Sequence, residues 1–209
     1  MDTVSFTDSE LSLLREAVGD VLSEKRFSHT VSVEREATFL GEHLLPNQVN
    51  ELRAAALLHD IAKEIGREEQ ILLVECSDDP KCHEPCPLPA LHSFAGAELI
   101  KRKYPNFATK SIIKAVMYHT LGDGDMTLFE TIIYCSDYIE ETRMHRDAER
   151  IRCYLHEGLE SASSYNDKLK CFYLSVLDVI SCTLAHLSSL GISPDTRTLA
   201  AERAIRSLI

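Results

Sequence analysis

Residues 48–65 read QVNELRAAALLHDIAKEI, and the spacing of their apolar positions decides the fold. Leu52, Ala55, Ala56, Leu58, Ile61, Ala62 and Ile65 recur every three or four residues, the signature of a helix that buries one face. His59 continues that buried row, and Asp60 stands at its edge. On one helix, a neutral imidazole and a carboxylate about 100° apart around the axis can offer two metal ligands. A carboxylate beside such an apolar face needs a partner. The expected mid-helix position of Asp60 removes the N-cap explanation.

The same recurrence runs through almost the whole chain and strict alternation is hard to find, so the predicted class is all-α. Thr7 and Glu10 have capping-box spacing ahead of Leu11, Leu14, Val18 and Leu22. A second helix is predicted over about 27–45, with the stripe His29, Val33, Ala37, Leu40, Leu44 and a stop at Pro46. The third, about 48–65, ends at Gly66. After a short helix at 68–75, Pro80, Pro85, Pro87 and Pro89 forbid continuous helix across 76–90. Further helices are predicted over about 91–103, 107–119, 127–141, 148–159 and 167–190, with a turn at Gly122-Asp123-Gly124 and a left-handed cap at Gly191. Ser193 and Pro194 suit the N-cap and first residue of a last helix. No repeat or linker divides the chain, and one domain over 1–209 is expected.

Composition narrows the function classes. Twenty-two Lys+Arg against 33 Asp+Glu leave a formal charge of −11, which disfavours a nucleic acid polymer, whose binding draws on cations that neutralise phosphates. The start, MDTVSFTDSELSLLREAVGD, is acidic and lacks an apolar stretch before a cleavage site, so no secretory signal is read there. The longest uncharged run, 179–194, contains His186 and Gly191 and falls short of a bilayer span, so no membrane helix is expected. Seven cysteines, an odd number, fit reduced thiols and a cytoplasmic location.

Nine histidines are the anomaly. His29 is in register with Val33 and Ala37, His92 with Ala95 and Leu99, and His119 with Ile112, Ala115 and Val116. Asp137 is in register with Ile133 and Tyr134. Each His alone is more often a hydrogen-bonded core residue. Together with two inward carboxylates they suit a helix-bundle core that gathers ligands from facing helices.

The order His29, then His59-Asp60, then a distant Asp137 resembles the HD-domain metal-dependent phosphohydrolases. The segments LLHDIAKE (57–64), ALHSFAGAELI (90–100), MYHTLGDGDM (117–126) and IIYCSDYIEETR (132–143) resemble its YqeK-like branch, symmetrical dinucleoside tetraphosphatases that cut diadenosine tetraphosphate into two ADP. The resemblance implies an HD-domain helical bundle and a dinuclear metal site, iron first among iron, manganese, cobalt, nickel and zinc. The ligands it implies are His29, His59, Asp60, His92, His119 and Asp137, with Asp60 bridging the ions and a hydroxide held between them as nucleophile. Ser93, Leu121 and Glu141 depart from the family pattern without removing a ligand.

Lys63, four residues after His59, is expected to place an ammonium against the polyphosphate, as a catalytic and substrate-binding residue beside Asp60. Arg143 either forks onto a phosphate or makes a surface ion pair with Glu140 or nearby acids. Thr120 and Gly122 are expected in a loop whose N–H groups meet the substrate. A nucleotide small molecule is the expected partner, and a homodimer is left open. Cys76, Cys82 and Cys86, with His83 between, lack the paired spacing of a zinc knuckle and are read as free thiols or a peroxide-sensitive loop. Phe27 is read first as a core aromatic, with adenine stacking as the alternative. The rival readings are an HD-domain phosphohydrolase of a mononucleotide or of a cyclic or hyperphosphorylated nucleotide, a non-catalytic sensor, and a helical interaction module.

Overall fold

The computed structural model describes residues 6–209 and, among them, contains no strand. The α-helices are α1 (Asp8–Gly19), α2 (Glu24–Leu44), α3 (Val49–Leu58), α4 (Arg67–Glu75), α5 (Leu91–Lys103), α6 (Lys110–Tyr118), α7 (Leu128–Ile139), α8 (Arg146–Ser161), α9 (Tyr165–Ser189) and α10 (Thr196–Arg206). Residues 1–5, which the expected domain includes, lie outside the described residues.

Local chemistry sets most helix starts. Thr7 and Glu10 form the expected capping box on α1, and Thr127 and Glu130 form another on α7. Ser23 caps α2, so that helix begins three residues before the expected position. Thr109 caps α6, and Pro105–Phe107 forms a separate 3₁₀ turn, which shortens the helix predicted from 107. The last helix is capped by Asp195 rather than Ser193. The Asp195 carboxylate accepts the Arg197 N–H and Nε–H on Oδ1 and the Nη2–H on Oδ2, a two-oxygen fork that a serine hydroxyl lacks. The Pro-rich stretch after α4 holds only two 3₁₀ turns, Pro80–His83 and Leu88–Ala90.

The largest departure concerns the stretch that decided the fold. α3 stops at Leu58, and residues 59–65 continue as tighter turns, with Ile61 N donating to Leu58 O and Lys63 N to Asp60 O. His59 is the C-cap, and its Nδ1–H donates to the Ala56 carbonyl at 2.7 Å. Asp60 is therefore not in mid-helix.

α2 and α3 pack face to face at the centre, with α5, α6 and α7 laid around them and α1 and α4 outside. One contiguous core runs from Phe6 to Ile205 and includes Leu40, Leu52, Leu57, Ile112, Ile133 and Phe172. Phe27 packs on Gly19 and the core edge, as a core aromatic. α9 is long and apolar enough, by length and composition, to meet the usual test for a membrane span, with mean hydropathy 1.5 and 28% of that window buried. The expectation of no such helix rested on uncharged runs, which Asp178 interrupts. In this fold Phe172, Val176, Val179 and Ile180 of α9 are core residues.

Gly122 has φ +71°, and a Cβ there would lie 3.0 Å from the Ala201 Cβ of α10. Gly122→Ala should cost about 2 kcal/mol, from left-handed backbone and this contact. Urea unfolding checks it.

Candidate metal centre

Four imidazoles and two carboxylates from five parts of the chain meet in one interior cluster. His29 comes from the first turns of α2, His59 and Asp60 from the end of α3, His92 from the start of α5, His119 from the end of α6 and Asp137 from α7. His59 is fully buried, His29, Asp60, His92 and His119 nearly so, and Asp137 remains partly exposed.

Asp60 divides the cluster into two halves. Its Oδ2 lies 3.7 Å from His29 Nε2 and 3.5 Å from His59 Nε2. Asp137 Oδ1 closes this half at 3.0 Å from His29 Nε2 and 3.8 Å from His59 Nε2. Asp60 Oδ1 faces the other way, 3.2 Å from His92 Nε2 and 3.5 Å from His119 Nε2. Among the described residues, two triads have geometry that could hold an ion: His29, His59 and Asp137, and His59, Asp60 and His119.

The imidazole orientations follow from main-chain hydrogen bonds. Nδ1–H of His59 donates to Ala56 O, that of His119 to Val116 O and that of His92 to Pro89 O, at 2.7, 2.7 and 2.9 Å. A carbonyl only accepts, so each Nδ1 carries hydrogen and each Nε2 points inward as a bare lone pair in the neutral ring, the tautomer that ligation needs. His119, like His59, is the C-cap of its helix. Nε2 atoms of His92 and His119 lie 3.1 Å apart, and those of His29 and His59 3.3 Å apart. Bare nitrogens this close repel unless a cation or proton lies between them. Asp60 Oδ1 is buried with no hydrogen-bond partner. An orphaned carboxylate oxygen facing convergent imidazoles is the donor set that a divalent cation satisfies, so these residues fit the metal that the fold implies.

Electrostatics agree. Burial holds the His92 imidazolium down to about 4, against the pull of Asp60, leaving the ring neutral. For His29, burial alone would lower the value, but hydrogen bonds to Asp137 and Glu140 outweigh it and raise it to about 9. Burial disfavours ionised Asp60, yet His59, His119 and His92 keep its carboxyl well below the usual range. Lys63 is lowered by burial, partly offset by Asp60 and Asp137.

The remaining expected residues divide. Lys63 Nζ reaches His92, 3.1 Å from Nε2, although the helix that was expected to carry it has ended. Thr120 Oγ1 lies 3.2 and 3.1 Å from Nε2 of His92 and His119. Arg143 donates to Asp137 Oδ1 at 2.9 Å, with Glu140 farther at 3.7 Å, so of the nearby acids Asp137 is its main partner. Gly122 lies in the turn after α6, where its N–H donates to Tyr118 O and an added Cβ would meet Ala201 of α10. The Cys76, Cys82 and Cys86 thiols are free, and His83 donates to or accepts at no imidazole of the cluster but bonds Ser77 O. Two partners escaped the sequence reading. Arg26, three residues before His29, donates to Asp60 Oδ2, and Glu140, three residues after Asp137, accepts from His29 Nδ1. Both share a helix face with a residue already singled out, and that spacing is the signal that could have found them.

In chelator-treated protein the folded state keeps the His29 proton up to about pH 9, whereas the unfolded chain releases it near 6.5. Its stabilisation is therefore full below about pH 6.5 and is lost as pH rises through about 9. Glu140→Gln weakens the hold on that proton, so its Tm deficit should narrow between about pH 6 and 9.5. A deficit that stays constant would place the effect elsewhere.

A family model described as HD domain matches residues 26–142. The chain is 33% identical over 142 residues to the symmetrical bis(5'-nucleosyl)-tetraphosphatase of Bacillus subtilis, covering 68% of this chain and 75% of that protein. It is 29% identical to the protein of the same name in Staphylococcus aureus, covering 63% and 66% of the two chains. A crystal structure from Clostridium acetobutylicum, described as a "predicted HD superfamily hydrolase involved in NAD metabolism", superposes with a TM-score of 0.72 at 24% identity, over 98% of this chain and 99% of that one. With its ordered histidines and aspartates drawn into one buried cluster, the chain belongs to the HD-domain family.

Proposed function

We propose that the chain is a metal-dependent acid-anhydride hydrolase that cleaves diadenosine tetraphosphate, and similar dinucleoside polyphosphates, symmetrically into two ADP. The observation that carries the reading is the two-sided presentation of Asp60. One carboxylate addresses two imidazole pairs, which suits a dinuclear site with ligands His29, His59, Asp60, His92, His119 and Asp137 and with Asp60 bridging. The tetraphosphatase name of relatives at 33% and 29% identity supports the substrate class. Iron is the metal that the family resemblance favours, and the nitrogen and oxygen donors also suit manganese, cobalt, nickel or zinc. One domain carries the activity, since the core is contiguous from α1 to α10. A cytoplasmic location fits the seven free thiols.

Bound divalent cations would lower the pKa of a coordinated water and neutralise charge building on the phosphoryl oxygens. The chain's own residues do the rest. Glu140 holds His29 through its Nδ1, fixing the ring plane and leaving Nε2 facing the cluster. Main-chain carbonyls do the same for His59, His92 and His119. Lys63, a half-buried ammonium against His92, is placed to meet a phosphoryl oxygen as negative charge gathers there. The Thr120 hydroxyl stands 3.2 and 3.1 Å from the Nε2 atoms of His92 and His119, at the edge of that half. Tight burial on the imidazole side leaves approach from the partly exposed Asp137 side, where Arg143 lies.

Asp60→Ala should lower hydrolysis roughly a thousandfold or more, the worth of several kcal/mol of metal-based charge stabilisation. Metal analysis should fall with it while far-UV circular dichroism stays helical. For the wild type, chromatography should find ADP as the sole nucleotide product of diadenosine tetraphosphate. AMP with ATP would replace the symmetrical cut by an asymmetrical one.

A further inference from the structure

Beside the imidazoles runs a groove of about 630 Å³, lined by Lys25, Arg26, His29, Glu140, Thr142 and Arg143, with Glu64 at its edge. Its two carboxylates are engaged. Glu64 accepts from Ser23 N and Oγ, and Glu140 accepts from Thr142 and faces His29. The cations are placed differently. Arg26 Nη1 donates at 2.7 Å to Asp60 Oδ2, the oxygen that faces His29 and His59. Arg143 Nη2 donates at 2.9 Å to Asp137 Oδ1, the oxygen 3.0 Å from His29 Nε2. Each guanidinium thus holds the carboxylate oxygen that the metal reading assigns to a cation. Arg26 Nε is buried without an acceptor, and the Arg26 side chain is 29% exposed toward the groove.

A dication and a guanidinium on one carboxylate oxygen repel each other. We propose that Arg26 is a phosphate-binding residue that exchanges partners: as a cation takes Asp60 Oδ2, the guanidinium turns into the groove and forks onto the phosphate chain of the nucleotide. This rests on the hydrolase reading above. The unpaired Nε supplies the second donor of the fork, and the groove volume suits a nucleoside diphosphate. The exchange makes anion binding conditional on metal, because without a cation the Asp60 carboxylate retains the guanidinium.

The test is isothermal titration of wild type, Arg26→Met and Arg26→Lys, first with manganese and then, on the manganese-saturated protein, with ADP. Arg26→Met is expected to bind manganese as tightly as wild type or more tightly, because a competing cation has gone, and to bind ADP about tenfold or more weakly. Arg26→Lys keeps the charge without the fork and should fall between. If Arg26 only held Asp60 in place, Arg26→Met would bind manganese more weakly and the saturated protein would bind ADP as wild type does. Either of those results overturns the proposal. Circular dichroism verifies the fold, and where Arg26→Met is unfolded, Arg26→Gln is judged against the same outcomes. Turnover of diadenosine tetraphosphate by wild type is followed separately. Its failure would remove the symmetrical-cleavage reading, while the manganese and ADP comparison still decides the part played by Arg26.

Discussion

The carboxylate of Asp60 sits at 3.2–3.7 Å from four imidazole nitrogens, and the arrangement of the surrounding helices serves that meeting. An ionised carboxylate that is nearly fully buried is costly unless positive charge or donors surround it. Here the surroundings come from α2, α5 and α6 and from His59 at the end of α3, with Arg26 of α2 donating to Oδ2. None of these helices could supply the set alone, since one helix face offers only residues three or four apart. The bundle is thereby tied together around a polar centre, with the apolar core built outside it.

A recurring local device makes the centre usable. Three histidines spend Nδ1 on a main-chain carbonyl three residues back, which fixes the tautomer and aims Nε2 inward. His59 and His119 are also the C-caps of their helices, so two of these rings stand where a helix ends. His29 is oriented otherwise, by the Glu140 carboxylate on Nδ1, which leaves Nε2 facing Asp60 and Asp137.

Much of this was legible in the residues. Periodicity placed the helices within a few positions, and the apolar register of His29, His59, His92, His119 and Asp137 put each of them on an inward face, where the structure has them. Family resemblance supplied the grouping of those residues into a single set, which register alone does not. Where the reading failed, the cause was a competition that periodicity does not contain. The start of α10 was set by a carboxylate–guanidinium pair between Asp195 and Arg197, and α3 gives way to turns at His59, whose side chain bonds the Ala56 carbonyl.

The sequence by itself determined the helical class, the inward faces and the chemical types available there, because each of these depends on neighbours within one or two turns. Only the tertiary structure decided that Asp60 offers one oxygen to each half of the cluster, that Arg26 and Arg143 stand on the carboxylates, and that Glu140 braces His29. Those pairings join residues 34 and 111 positions apart in the cases of Arg26 with Asp60 and His29 with Glu140. They depend on the angles at which packed helices cross, and helix periodicity carries no record of those angles.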